Sequence, residues 1–352
     1  MNHYKVIGLM SGTSLDGVDI AFCELTLDKV WSFRLIHAVT IPYDEIWKKR
    51  LEVAPYSSAE EISELNSDYG AYLGRLVKAF CENNHLQPDF ISSHGHTIFH
   101  NPGKGYTLQI GSGSSLAAHS GIRVVCDFRS TDVALGGQGA PLVPIGDKLL
   151  FPEAAFCLNL GGIANISFDK QEDRIAYDLC ACNMVLNKYA MKLGSSYDSE
   201  GNFAANGVIN KLLLENLSQI AFYKKQFPKS LGREDVEKDI FPFLENAGLA
   251  AKDILATFCE HIALEISSVV NELKKSGYVL ITGGGAFNNY LLGRLEKHLV
   301  NEIKIPEKKI IEYKEAIIFA FLGVLRIRNN INCLKSVTGS SKDNCGGAIY
   351  EG

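Results

Sequence analysis

The stretch Gly8-Leu9-Met10-Ser11-Gly12-Thr13-Ser14-Leu15-Asp16-Gly17-Val18-Asp19 limits what this chain can fold into more than any other. It lies between two short apolar runs, Tyr4, Val6, Ile7 and Ile20, Ala21, Phe22, both rich in strand formers. The geometry to expect is strand, tight turn, strand. Glycines let the backbone reach positive φ and let a ligand approach it closely. Successive N–H groups in such a turn form an anion-binding concavity. Ser11, Thr13 and Ser14 add hydroxyl donors, and Asp16 and Asp19 are oxygen ligands suited to Mg²⁺ or its waters. The sum is a phosphate cradle with a metal carboxylate beside it; the competing reading is an ordinary Gly-rich hairpin.

The loop is not a Walker A motif, because no Gly-Lys-Ser/Thr follows. Nor is it the dinucleotide fingerprint, because a strand comes next where that motif needs a helix. A strand–loop–strand cradle near the N-terminus resembles the actin, Hsp70 and sugar-kinase superfamily. More closely, "GLMSGTSLDGVDIA" resembles the signature of the anhydro-N-acetylmuramic acid kinases. That resemblance implies an α/β fold of two ribonuclease H-like (actin-like ATPase) domains with a cleft between them. It also implies use of ATP and Mg²⁺. The nucleotide contacts in the first loop are then Gly12, Thr13, Ser14, Leu15, Asp16, Gly17, Val18 and Asp19, with Asp16 and Asp19 as metal ligands.

A chain of 352 residues, 46% hydrophobic and 21% charged, is globular and long enough for two cores. A net charge of −5 suggests no nucleic-acid partner. The first 20 residues lack a secretory pattern and no apolar run reaches membrane-span length, so the expected location is the cytoplasm, with no membrane partner. Nine cysteines without C-x-x-C pairs read as buried reduced thiols. The sequence leaves a homodimer open.

Residues 3–9, 19–25 and 30–40 read as a three-stranded meander. Residues 58–83 form an amphipathic helix with Ser57 or Ser58 at its start. Strands are expected at 90–93, 107–110 and 122–126, with a helix opening at Gly111–Ser114. Residues 94–100, His94-Gly95-His96-Thr97-Ile98-Phe99-His100, follow a strand end, where α/β proteins place sites. Three histidines invite a metal reading, but no acidic ligand lies nearby. "SHGHTIFH" resembles the family's sugar-binding segment, which implies His96 as a sugar contact. The long Gly-rich run 127–141 is of a length usually reserved for function. It resembles the family's inter-domain segment. Arg129 can pair with a carboxylate in two-point fashion, either the lactyl carboxylate of the family's sugar or, internally, Asp127 or Asp132. Asp132 is also assigned to the substrate.

The expected domains are 1–130 with 328–352, and 131–327 carrying the adenosine segment. In the second, "LGGIANI" repeats the strand–glycine–strand pattern of residues 6–22. Gly161, Gly162 and Asn165 then form a second phosphate loop. A strand at 175–177 ends at Asp178, where a base is often held. Here the family carries an Asp-x-Gly/Cys-Pro-Gly/Ala-Asn pattern; this chain reads Asp178-Leu179-Cys180-Ala181-Cys182-Asn183. The aspartate and asparagine match and proline is replaced by Ala181, which removes a fixed φ. The resemblance implies Asp178 as catalytic base and Asn183 as a substrate contact. Segments 197–207 and 228–234 resemble family lobes that cap the substrate. Helices are expected at 208–217 and 250–276. Gly283, Gly284 and Gly285 end a buried strand before a helix, a segment that contacts adenosine in the superfamily the chain resembles. Glu315, near the start of a helix at 313–326, matches an active-site glutamate, or else complements the helix dipole. Residues 337–340 are expected to pack on the first domain.

The implied reaction opens 1,6-anhydro-N-acetylmuramic acid with water and phosphorylates O6, giving N-acetylmuramic acid 6-phosphate during peptidoglycan recycling, with domain closure excluding bulk water. A sugar kinase of another branch would share the ATP loops and need no ring-opening water. A non-catalytic sugar sensor would have no need of Asp178, Asp16, Asp19 and Glu315. The segments 94–100 and 127–141 favour the anhydro-sugar branch.

Overall fold

The computed structural model describes residues 2–12 and 14–352. Strands β1 (His3–Met10), β2 (Gly17–Leu27) and β3 (Trp31–Pro42) form the antiparallel meander read from the sequence. A helix, Glu45–Val53, that the sequence reading omits follows it. The next helix, Ala59–Asn84, starts at Ser58, whose hydroxyl accepts from Glu61 N (3.3 Å) while Glu61 Oε2 accepts from Ser58 N (2.7 Å). This reciprocal cap settles the choice between Ser57 and Ser58. β4 (Phe90–Ser93) adds to the other edge of β1 in parallel. β5 (His96–Asn101) and β6 (Tyr106–Ile110) form a separate two-stranded hairpin, so most of the histidine segment is strand. β7 (Val124–Cys126) pairs with β4 in parallel, and the C-terminal strand Ala348–Tyr350 covers its outer edge.

The second sheet is built from β8 (Ala154–Leu160), β9 (Ile163–Lys170), β10 (Asp173–Ala181), β11 (Tyr278–Thr282) and β12 (Ile303–Lys304), in the order β10-β9-β8-β11-β12. The first sheet runs β3-β2-β1-β4-β7 before its added edge strand. The two orders are the same: an antiparallel meander of three strands, then two parallel strands beside its first member. The duplication suspected from the two glycine loops is therefore present in the strand order. Each half is a ribonuclease H-like α/β unit.

The compact units are Met1–Phe151 with Tyr313–Gly352, and Pro152–Glu312. The boundaries differ from those expected at 130/131 and 327/328, for two reasons. The segment after Arg129 is bound into the first unit: Lys314 Nζ lies 2.7 Å from Asp147 Oδ1, and Phe33 packs edge-on against Phe151. The helix Lys308–Ile327 lies against β1 so closely that a Cβ on Gly8 would collide with the Ala316 carbonyl. Sequence cannot show this, because the crossover and the returning helix carry the same apolar periodicity whichever core they join. Among the described residues no helix is long and apolar enough to cross a membrane.

Candidate active site

In the first unit, β1 and β2 stop pairing at Met10 and Asp19, leaving the glycine loop between them. Leu15 sits at φ 59°, a left-handed conformation that branched apolar side chains rarely adopt. Strain of this kind collects at ligand loops. Gly12 is half-buried, while Ser14 and Asp16 are exposed. Gly17 runs so close to the Ile41 backbone that no Cβ fits. Thr13 lies outside the described residues. Two expectations fail here. The Ser11 hydroxyl turns inward, 2.7 Å from Tyr43 Oη and 2.8 Å from His96 Nδ1, so it is not a phosphate donor. Val18 is fully buried, because strand alternation points it into the core with Ile20 while Asp19 faces out. Its side chain offers a nucleotide nothing.

Asp19 Oδ1 accepts from Thr40 Oγ1 on β3 (2.6 Å). Glu315 lies two turns into the helix that begins at Lys308, not at its start, so dipole complementarity does not explain it. Its side chain reaches solvent but is crowded by protein. That crowding raises its carboxyl pKa, and Asp19 adds to the rise against the opposing pull of Arg129 and Lys314.

Arg129 pairs with neither Asp127 nor Asp132. Its Nε (3.2 Å) and Nη2 (2.9 Å) both donate to His94 Nε2, and Nη1 donates to Gly139 O (2.7 Å). His94 can accept there because its Nδ1–H donates to Gly95 O (2.9 Å). Burial and then the Arg129 charge lower the His94 pKa to about 3, so the ring is neutral. Guanidinium has five N–H donors, and two of them have no protein acceptor among the described residues. His96 is also buried and neutral, its pKa lowered by burial to about 4. His100 is exposed on the hairpin, 3.0 Å from Thr107 Oγ1.

Asp132 is not available to a substrate. It is fully buried, with Oδ1 accepting from Thr338 Oγ1 (2.9 Å), Asn344 Nδ2 (2.8 Å) and Cys333 Sγ (3.1 Å), and Oδ2 from Gly139 N (2.8 Å). Burial raises its pKa, but the hydrogen bonds outweigh burial and leave it below the ordinary value. Asp132 fastens the C-terminal segment to the glycine-rich crossover. The expected docking of residues 337–340 is present, with Gln138 N donating to Thr338 O (2.8 Å).

In the second unit the hairpin is tighter: β8 and β9 pair up to Leu160 and Ala164. Gly161 is half-buried and Gly162 exposed. The loop is held from behind by the start of the helix Asn183–Met191, because Asn183 N donates to Gly161 O (3.0 Å), and Cys182 N (2.9 Å) and Met184 N (3.1 Å) donate to Gly162 O. The Asn183 side chain is turned to the protein, Nδ2 donating to Leu160 O (2.8 Å).

Asp178 is not at the strand end. β10 continues to Ala181, and the ladder slips between Asp178 and Cys180. Such a bulge re-aims a side chain within a strand. Asp178 lies opposite Asn165, which lies opposite Asn159, which in turn lies opposite Thr282 on β11. Directly opposed residues share a face, so one polar row crosses four strands. Asp178 Oδ2 accepts from Ser230 Oγ (3.0 Å) and Leu231 N (2.9 Å), and Asp178 N donates to Lys229 O (3.3 Å). The other carboxylate oxygen has no hydrogen bond among the described residues.

The three glycines after β11 differ in role. Gly283 (φ 81°) and Gly285 let the chain pass against Leu160, where a Cβ would come within 2.7 Å and 2.6 Å of it. Gly285 is buried and packs on Leu160, while Gly284 is exposed. A short 3-10 turn, Gly284–Phe287, precedes the helix Asn289–His298.

Residues 4–352 match the model of the anhydro-N-acetylmuramic acid kinase family. The chain belongs to that family. An anhydro-N-acetylmuramic acid kinase of Sulfurimonas denitrificans is 35% identical over 371 residues, covering 98% of this chain and 99% of the relative. One from Photobacterium profundum is 34% identical over 374 residues, covering 98% of each.

Placed in the anhydro-N-acetylmuramic acid kinase family, the chain shows residues that sequence reasoning passed over: His94 behind Arg129, Asn159 and Thr282 in the polar row, and Ser230 with the Leu231 amide on Asp178. Asn159 left one signal, a lone polar residue in the apolar run Phe156-Cys157-Leu158-Asn159-Leu160. The others were invisible, since their role depends on contacts distant in sequence. Among the described residues no group of three His, Cys, Asp or Glu side chains could hold a metal ion. A resident all-protein metal cage is absent from that set. Mg²⁺ arriving with phosphates needs only one or two carboxylates, and Asp19 with Asp16 fits that smaller demand.

Proposed function

We propose that this chain transfers the γ-phosphoryl group of ATP to O6 of 1,6-anhydro-N-acetylmuramic acid while water opens the anhydro bridge. The observation that carries this reading is the Asp178 carboxylate: one oxygen is fixed by Ser230 and Leu231 and the other is left available. A general base needs this arrangement, orientation by one oxygen and proton acceptance by the other.

In this scheme water attacks C1 and gives its proton to Asp178. The C1–O6 bond breaks with its electron pair going to O6, O6 takes the γ-phosphoryl group, and ADP leaves. The departing oxygen of a glycoside needs a proton or another electrophile; here phosphorus serves. Phosphoryl transfer otherwise depends on positioning and charge neutralisation. The loop around Leu15 and the Gly161–Gly162 loop offer backbone N–H groups to phosphate oxygens, and Gly284 is the exposed glycine of the adenosine segment. Mg²⁺, held by Asp19 and Asp16, would neutralise phosphate charge. The two N–H groups left on Arg129 suit the lactyl carboxylate, and Glu315 and His96 lie in the same unit as that guanidinium. Asn183 acts by holding the second loop.

The test is ADP release with Mg·ATP and the anhydro sugar. Release with the anhydro sugar, and none with open-ring hexoses, supports the reading. Release only with an open-ring sugar moves the protein to another kinase branch. Binding of the sugar without turnover would make it a sensor.

A further inference from the structure

All three bonds that fix Asp178 come from residues 229–231, which belong to neither helix nor strand. Something must hold that backbone. Leu231 is buried. The Lys229 ammonium lies 4.5 Å from the centre of the buried Phe222 ring and interacts electrostatically with Glu265, on the helix Ala251–Leu273. One turn earlier on that helix, His261 Nδ1 lies 3.8 Å from Glu265 Oε1, and the Tyr223 ring packs edge-on against His261 at 4.7 Å. The Glu265 side chain is 21% exposed and that of His261 1% exposed. His261 Nε2 has no hydrogen-bond partner among the described residues. A polar group so enclosed and unbonded carries a desolvation cost.

We propose that Glu265 and Lys229, backed by His261 and Tyr223, are positioning residues for Asp178, anchoring the 229–231 backbone whose hydrogen bonds aim the catalytic carboxylate. This rests on Asp178 being the base. Ionised Glu265 attracts Lys229 and draws its backbone inward. Protonated Glu265 loses that attraction, and the segment is freed.

Burial raises the Glu265 pKa to about 7, against the opposing pull of Lys229. Burial keeps His261 neutral by lowering its pKa to about 3, and raises the pKa values of Tyr223, on the 3-10 turn Ala221–Lys224, and Cys180 on β10. Burial also lowers the Lys229 pKa, Glu265 and Cys180 oppose that, and Lys225 adds to it. Glu265 is therefore the member of this set that changes charge near neutrality.

The test assays full-length E265Q, K229M, K229R and D178N with Mg·ATP and the anhydro sugar between pH 5.5 and 9. At pH 8, E265Q and K229M should lose about 10- to 100-fold in kcat, the scale of a misplaced catalytic group, with KM for both substrates within about twofold. The wild-type kcat should fall on a limb near pH 7 that E265Q lacks, and K229R should recover most of the rate. A role confined to stability would not remove that limb. If E265Q loses its thermal transition, K229M carries the test, since it leaves the buried helix untouched. Wild-type kcat in folded E265Q or K229M overturns the proposal. An inactive D178N beside unaffected E265Q and K229M removes the positioning set alone; a fully active D178N removes the base reading itself.

Discussion

The two glycine hairpins occupy the same place in duplicated sheets but are held by different means. The first loop is long, and its anchor is a chain of side chains running from Ser11 to His96, Tyr43 and Tyr69. The second is short, and its anchor is backbone, the first amides of a helix bonding Gly161 O and Gly162 O. The acidic residue differs too: it stands on the second strand in the first unit (Asp19) and on the third in the second (Asp178). A loop held by side chains is open to change through any one of them. A loop held by backbone tolerates substitution as long as the helix still starts there. This explains why Cys180-Ala181-Cys182 can replace a proline-containing turn: the bonds of Cys182 and Asn183 to the loop need only main-chain atoms.

The largest expected effect breaks the symmetry of the acids. Asp178→Asn should lower kcat by roughly 10²–10⁴-fold, the usual worth of a general base, while Asp19→Asn should mainly raise the KM for Mg·ATP. Steady-state kinetics of both variants would separate the roles; equal losses of kcat would erase the distinction.

A second expected difference lies in acid stability. His94 and His96 have lowered folded pKa values, so below pH 6.5 the unfolded chain binds protons that the folded first unit refuses. Stability is therefore lost as pH falls through 6.5, by roughly 2 kcal/mol for each histidine at pH 5. In the first unit Glu315, whose pKa is also raised, opposes this pair of histidines; in the second, His261 acts alone in their direction and is opposed by Glu265. Its raised pKa means that the folded state holds a proton the unfolded state releases between pH 4.5 and 7, which adds stability as pH falls. Hydrogen exchange at pH 7 and pH 5 should show the first unit loosening more than the second, and the reverse order would refute this.

Ser11→Ala should cost about 1–3 kcal/mol by leaving His96 Nδ1 and Tyr43 Oη short of a partner, and should also raise the KM for ATP. Asp132→Asn should cost a similar amount and leave the sugar KM unchanged; a raised sugar KM with unchanged thermal stability would restore a substrate role. The smallest effect belongs to Cys182→Ala, about 1 kcal/mol of stability from lost packing and kcat within about twofold. A large kcat loss there would show that the second loop depends on side chains after all.

Much of this was legible in the sequence because it is local. Two strand–glycine–strand patterns announced the duplicated sheets, and the apolar runs placed most strands and long helices within a few residues. The rest depends on distant contacts. An aspartate in a glycine-rich crossover looks the same whether it faces a ligand or, like Asp132, gathers Thr338, Asn344 and Cys333. The bulge after Asp178 has no residue signature, so β10 was cut short. The helix carrying Glu315 begins with polar Lys308 and Lys309, which hid its first turn and made Glu315 look N-terminal. Gly283 and Gly285 read as ligand glycines, and nothing local in the sequence shows that both also pass against Leu160.

The central claim is that water attack at C1 and phosphorylation at O6 are one coupled event dependent on Asp178. The most direct measurement is turnover of the anhydro sugar with Mg·ATP in ¹⁸O-labelled water, followed by mass spectrometry of the product. The account predicts one ¹⁸O at C1 of a 6-phosphorylated sugar from the wild-type protein and formation of that product slowed by at least about 10²-fold in Asp178→Asn. A phosphorylated sugar that still carries its anhydro bridge, or label on the phosphate, would contradict it.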